Sequence, residues 1–143
     1  MSSLFFELDT IEMFDFLIKT SKVCVLNFSA KWCGPCKKFT PLLEQTVINS
    51  VLKHNTFYNT DNFTVSDGTT HFTGDVHKLK NSVTFLKIDI DKFSDLANAY
   101  KIKSVPTILF YANGEHKQVV PTGSSLSDRA NNIVSLVHGF LSN

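Results

Sequence analysis

Two cysteines with two residues between them stand in the run Trp32-Cys33-Gly34-Pro35-Cys36-Lys37. That spacing lets the second sulfur reach the first within disulfide geometry, so the pair can open and close as a redox couple. An apolar run rich in β-formers, residues 23–28, precedes the pair, and helically spaced apolar residues from Phe39 to Val51 follow it. A sulfur at the start of that helix meets unpaired backbone N–H groups and the positive end of the aligned peptide dipoles. Both favour the thiolate, and with it nucleophilic attack near neutral pH. Gly34 removes side-chain bulk at the turn, and Pro35 lacks an N–H that a helix start would leave unpaired. Trp32 offers a flat apolar surface beside the reactive sulfur, where a partner chain can dock.

Other uses of the motif are weaker. C-x-x-C is also half of a zinc site, which needs two further ligands. Cys24 is the only other cysteine and is expected to face the core from a strand. The five histidines (54, 71, 77, 116 and 138) are scattered, and only His71 and His77 have a qualifying spacing, inside an irregular stretch. No metal and no bound cofactor are therefore expected. A purely structural disulfide fits poorly with three cysteines and an N-terminus that reaches Glu7 and Asp9 without a basic and then apolar leader. No apolar run approaches the ~20 residues that span a bilayer. The net charge of +1, without runs of like charge, argues against a nucleic-acid groove or a basic membrane patch. A monomer in the reducing cytoplasm is the expected setting.

The elements that must position the pair follow from the pattern of the rest. At 143 residues, with 43% hydrophobic residues and 13 Phe, the chain is expected to form one domain, 1–143, with an aromatic-rich core. Leu4 to Leu8 reads as an edge strand, and Asp9 or Thr10 as the cap of a helix carrying Ile11, Phe14, Leu17 and Ile18. Residues 23–28 read as a strand buried on both faces, and the helix after Cys36 contains Pro41, where a kink is expected. Residues 83–91 read as a strand, and Phe93, Leu96, Ala97 and Tyr100 line a short helix. Residues 107–111 form a strand turned by Asn113-Gly114 into a partner at 117–120. Ser125 with Asp128 resembles a capping box opening a last helix, with Leu126, Ala130, Ile133, Val134, Val137, Phe140 and Leu141 on its apolar face. The order β-α-β-α, then β-α-β-β-α, predicts an α/β fold: a central mixed sheet with helices on both faces. Residues 54–82 break the rhythm. They are rich in Asn, Thr, Asp, Gly and His, and are longer than a connection in a compact domain needs. Within them, 63–65 and 70–72 flank Asp67-Gly68, an expected small hairpin.

Trp-Cys-Gly-Pro-Cys-Lys closely resembles the active site of the thioredoxin family, and the resemblance covers about residues 4–50 and 83–141. It implies the thioredoxin fold with an insertion around 54–82. It also implies thiol–disulfide exchange on protein disulfides through Cys33 and Cys36, with an NADPH-dependent, flavin-containing thioredoxin reductase as electron donor. Val105-Pro106-Thr107 resembles the family's cis-proline loop, although the residues alone favour an ordinary trans proline opening a strand. Trp32, Val105, Pro106 and Gly123 are implied substrate contacts, and Lys87 falls where the family carries a buried lysine. Asn27 is a departure. It stands where the family usually has a buried Asp thought to help deprotonate the resolving thiol, and an amide takes no proton at physiological pH. Pro121, in a Gly114–Gly123 spacing longer by one, reads as an edge-strand bulge. Two rival readings follow: a disulfide isomerase-like domain, and a weakly active or redox-inactive binding module of a larger assembly.

Overall fold

The computed structural model describes residues 4–51, 57–58, 63–66, 69–72 and 79–142. In chain order these form β1 (Phe5–Glu7), α1 (Ile11–Thr20), β2 (Val23–Ser29), α2 (Gly34–Val51), β3 (Phe57–Tyr58), β4 (Phe63–Ser66) and β5 (Thr69–Phe72). Then come β6 (Ser82–Asp89), α3 (Ser94–Ala99), β7 (Thr107–Ala112), β8 (Glu115–Lys117) and α4 (Leu126–Leu141). The main sheet runs β1-β6-β2-β7-β8, with β3 also pairing β6. β1, β3 and β2 are parallel to β6, whereas β7 is antiparallel to β2 and β8 to β7. The expected mixed sheet is therefore present. β4 and β5 form a separate antiparallel pair, Phe63 opposite Phe72, as the Asp67-Gly68 signal predicted, while the turn between them lies outside the described residues.

Period-two alternation on β2 decides which helix packs where. Val23 and Val25 join Phe39, Leu43 and Val47 of α2 and Ala130, Ile133 and Val137 of α4 in one core. Cys24, Leu26 and Phe28 join Met13, Phe14, Leu17 and Ile18 of α1 in the other, with Leu96 of α3 packed against it. Every residue of β2 is buried, which accounts for its nearly continuous apolar run, broken only by Asn27 before it ends at Ser29. Asn27 has the parity of Val23 and Val25, and so is directed to the α2 face.

Thr10, rather than Asp9, caps α1, its Oγ1 accepting from the Met13 N–H at 3.1 Å. Ile11, expected on the apolar face, is 47% exposed, and Met13 takes the core position instead. α2 continues through Pro41. β6 ends at Asp89, two residues before the predicted end, where the Ile90 N–H donates to Ser29 O at 3.0 Å.

The hairpin after β7 also differs from expectation. Asn113 and Gly114 both have positive φ, 52° and 80°, making a two-residue loop that pairs Ala112 with Glu115 directly. The partner strand is consequently Glu115–Lys117 rather than 117–120. Pro121 follows the end of that strand, so it lies in a connection and not in a bulge. Ser125 caps α4 by accepting from the Asp128 N–H at 3.1 Å. The reciprocal half of a capping box is replaced: the Asp128 carboxylate accepts from Ser124 Oγ at 2.8 Å.

Candidate active site

Helix α2 begins at Gly34, so Cys33 is the residue before its first turn. Cys33 and Cys36 are joined by a disulfide, with their Cα atoms 5.3 Å apart. The Cys36 N–H donates to Cys33 Sγ at 3.1 Å, which gives that sulfur one of the orphan donors of the helix start. Donation to the charged form of a group lowers its pKa, so in the dithiol state the same bond favours a Cys33 thiolate. Cys33 is held from both sides in the chain, its N–H donating to Ala30 O at 3.2 Å and its carbonyl accepting from the Lys37 N–H at 3.4 Å. Both cysteines are only 3% exposed and cluster with Ala30, against which Ile90 and Val105 pack.

The Val105–Pro106 peptide is cis, as the resemblance implied and the residues alone did not. Its Val105 carbonyl oxygen lies 3.6 Å from Cys33 Sγ, placing this loop directly over the first sulfur. Trp32 is 66% exposed, and its Nε1–H donates to Asp91 Oδ2 at 2.9 Å. Asp91 is in turn fixed by its own N–H donating to Asp89 Oδ1 at 2.9 Å. Sequence reasoning missed Asp91. The signal lay in two carboxylates just where β6 leaves the sheet, beside the end of β2.

Four implied site residues can now be placed. A Cβ on Gly34 would meet no other part of this chain within 4 Å. Lys87 is not buried: its side chain is 37% exposed and its Nζ lies 4.0 Å from Glu7 Oε1. It lies near the end of β6, paired in register with Glu7 of the short edge strand β1. Gly123 packs on the first turn of α4, where a Cβ would come within 2.8 Å of the Asp128 carbonyl carbon and 2.9 Å of Arg129 Cα.

Asn27 is fully buried, with Lys87 opposite it in register on β6. Its Nδ2 donates to Thr40 Oγ1 at 3.1 Å, and its buried Oδ1 has no hydrogen-bond partner among the described residues. Thr40 lies four residues after Cys36, and so one turn along the same face of α2. Cys36, Thr40, Lys37, Lys31 and Lys87 line one recess of about 360 Å³. Thr40 is the second residue the sequence reading missed, and the helical i, i+4 spacing from Cys36 could have found it.

Cys24 takes no part in this arrangement. It points to the opposite face of the sheet, and burial pushes its thiol pKa up, keeping it protonated and unreactive at neutral pH. Among the described residues no group of three His, Cys, Asp or Glu side chains converges on a common point.

The thioredoxin family model matches residues 6–73 and 69–135 of this chain. The thioredoxin of Borreliella burgdorferi is 30% identical over 117 residues, covering 81% of this chain and 74% of that protein. That of Mycoplasmoides gallisepticum is 29% identical over 101 residues, 71% of each chain. Among solved structures, oxidised Plasmodium falciparum thioredoxin superposes with a TM-score of 0.59 at 20% identity, covering 96% of this chain and 98% of that one. Human ERp44 superposes with a TM-score of 0.65 at 24% identity, covering 97% of this chain but only 30% of that one. At these identities the structural matches establish the fold.

Proposed function

The chain belongs to the thioredoxin family and is a thiol–disulfide oxidoreductase, and from that premise we propose that it reduces protein disulfides with Cys33 as nucleophile and Cys36 as resolving thiol. The observation that carries this reading is the Cys36 N–H aimed at Cys33 Sγ at 3.1 Å, at the mouth of α2. In the reduced protein Cys33 thiolate attacks one sulfur of the substrate disulfide, and the other sulfur leaves as a thiolate that takes up a proton. Cys36 then loses its proton and attacks Cys33, releasing the second substrate thiol and closing Cys33–Cys36. Two electrons thus pass from the protein dithiol to the substrate. An external reductant must restore them, and an NADPH-dependent thioredoxin reductase is the proposed donor.

Residues 1–143 act as one domain in this proposal, with Trp32, Pro35, Val105 and Pro106 as the docking surface and Gly123 supporting it through its packing on α4. Among the described residues no helix is long and apolar enough to cross a membrane. The proposed location is the cytoplasm, consistent with Cys24 as a buried free thiol.

The reduction potential tests the direction of electron flow. A value near −270 mV, already familiar from thioredoxins rather than derived from this geometry, is expected of a reductant. A value near −180 mV, typical of protein disulfide isomerase, would assign the chain to disulfide isomerisation instead.

Asn27 sets the pace of the second step in this proposal, because an amide cannot accept the Cys36 proton. Asn27→Asp is expected to speed resolution of a preformed mixed disulfide at least about tenfold at pH 7.5, as general bases commonly do. The same substitution buries a carboxylate with a raised pKa. Its stability cost, about 2 kcal/mol or more, is therefore small near pH 4 and grows as pH rises towards 8. Stopped-flow resolution kinetics and denaturant unfolding at the two pH values check both halves. An unchanged resolution rate would show the amide to be catalytically silent.

A further inference from the structure

Beside Pro106 the surface dips into a recess of about 180 Å³ lined by Ser104, Pro106, Thr107, Val120, Pro121 and Arg129. Its walls offer few free polar groups, since Thr107 Oγ1 donates to the Ser104 carbonyl at 2.6 Å. Val120 leaves 71% of its surface exposed at the rim. Arg129 is the one charged residue lining it among the described residues.

Arg129 is placed at a cost. It sits in the first turn of α4, where the helix dipole disfavours a cation. Its Nε is buried, with no hydrogen-bond acceptor among the described residues. The neighbouring carboxylate, Asp128, accepts instead from Ser124 Oγ. The backbone is locked, the Arg129 N–H donating to Ser125 O at 3.0 Å and Gly123 packing against it. The rest of this half-buried side chain lines the recess with no carboxylate partner among the described residues, so the recess carries an unneutralised positive charge suited to an anion.

Resting on the proposed reduction of protein disulfides, we infer that Arg129 selects substrates carrying an acidic side chain on the segment that runs past Pro106. The Val105 carbonyl lies beside Cys33 Sγ, and the next residue, Pro106, lines the recess together with Arg129. An extended chain puts alternate side chains on one face at about 6.6 Å intervals, so a carboxylate a few residues from the attacked cysteine can enter the recess. Carboxylate and guanidinium then satisfy each other, and the carboxylate also gains from the helix start.

Three otherwise identical peptide disulfides, with Glu, Gln or Lys at the positions two to four residues from the cysteine, test this against wild type, Arg129→Gln and Arg129→Glu. At low salt, wild type is expected to show about fivefold higher kcat/KM for the Glu peptide than for the Gln peptide. Arg129→Gln is expected to bring that ratio to about one, and Arg129→Glu to favour the Lys peptide. If circular dichroism shows either variant misfolded, the wild-type ratio decides, since 0.5 M NaCl should shrink it by at least half. Equal kcat/KM for the Glu and Gln peptides in wild type, or a preference that survives Arg129→Gln, would overturn the inference while leaving the redox reading intact. Failure of wild type to reduce even the Gln peptide would instead sink the redox reading.

Discussion

Replacing Cys33 with Ser is expected to lower turnover of protein disulfides by at least about 10³-fold, because a hydroxyl has neither the acidity nor the polarisability to displace a sulfur. Cys36→Ser is expected to fail differently. The first attack still runs, assisted by the N–H of residue 36, which the substitution keeps. The second cannot, so the protein accumulates as a mixed disulfide with its substrate after a single event. Insulin reduction in the presence of dithiothreitol, and non-reducing electrophoresis of the Cys36→Ser protein, separate the two. Equal loss in both variants without a trapped adduct would contradict the assigned order of attack. Turnover surviving in Cys33→Ser would make the fold a binding module with incidental thiols.

The largest effect on stability is expected at Gly123. A Cβ there would meet the Arg129 backbone nitrogen as well as the Asp128 carbonyl carbon at 2.8 Å and Arg129 Cα at 2.9 Å. These are backbone atoms of a helix turn capped by Ser125 and packed on the core, so they cannot move aside as a flexible side chain would. Gly123→Ala is expected to cost about 2–4 kcal/mol, or a fall in Tm of roughly 10 °C, measured by thermal unfolding. Gly34→Ala is the contrast. Open space surrounds its Cβ position, and alanine suits a helix better than glycine, so stability is expected to change by less than about 1 kcal/mol. Equal losses at the two glycines would show that the packing of Gly123 on α4 is not what holds that connection.

Both effects concern residues that the sequence singled out, but it supplied the right reason for only part of them. The redox pair, the strand before it and the helix after it were legible because each rests on local pattern: C-x-x-C spacing, a short β-rich apolar run and 3.6-residue periodicity. The alternation on β2 was equally legible, and it alone sends Asn27 to the α2 face. Burial was not. The partial exposure of Lys87 depends on how much of β6 the three-residue strand β1 covers, a property of the edge and not of the lysine. Exposure of Ile11 depends on which turn of α1 meets the sheet, and the expected apolar face included Ile11 but passed over Met13, which is buried. The β7–β8 hairpin was recognised at Asn113-Gly114, yet its second strand was set two residues late, because the turn conformation fixes the register. Thr40 and Asp91 could not be ranked from composition. Their importance comes from what each hydrogen-bonds, Asn27 in one case and Trp32 in the other.

Electrostatics at the mouth of α2 is the physical premise of the proposed chemistry, and it can be read without any substrate. The reduced protein should be alkylated by iodoacetamide at a series of pH values, with the modified residue identified by mass. Burial holds the Cys24 thiol protonated, so it should stay unmodified across the range. Cys33 is expected to react at lower pH than a free cysteine does, with Cys36 reacting far more slowly. Half-reactivity of Cys33 near pH 8.5, as in a free cysteine, or equal rates at the two sulfurs, would contradict the claim that the helix start activates the first of them.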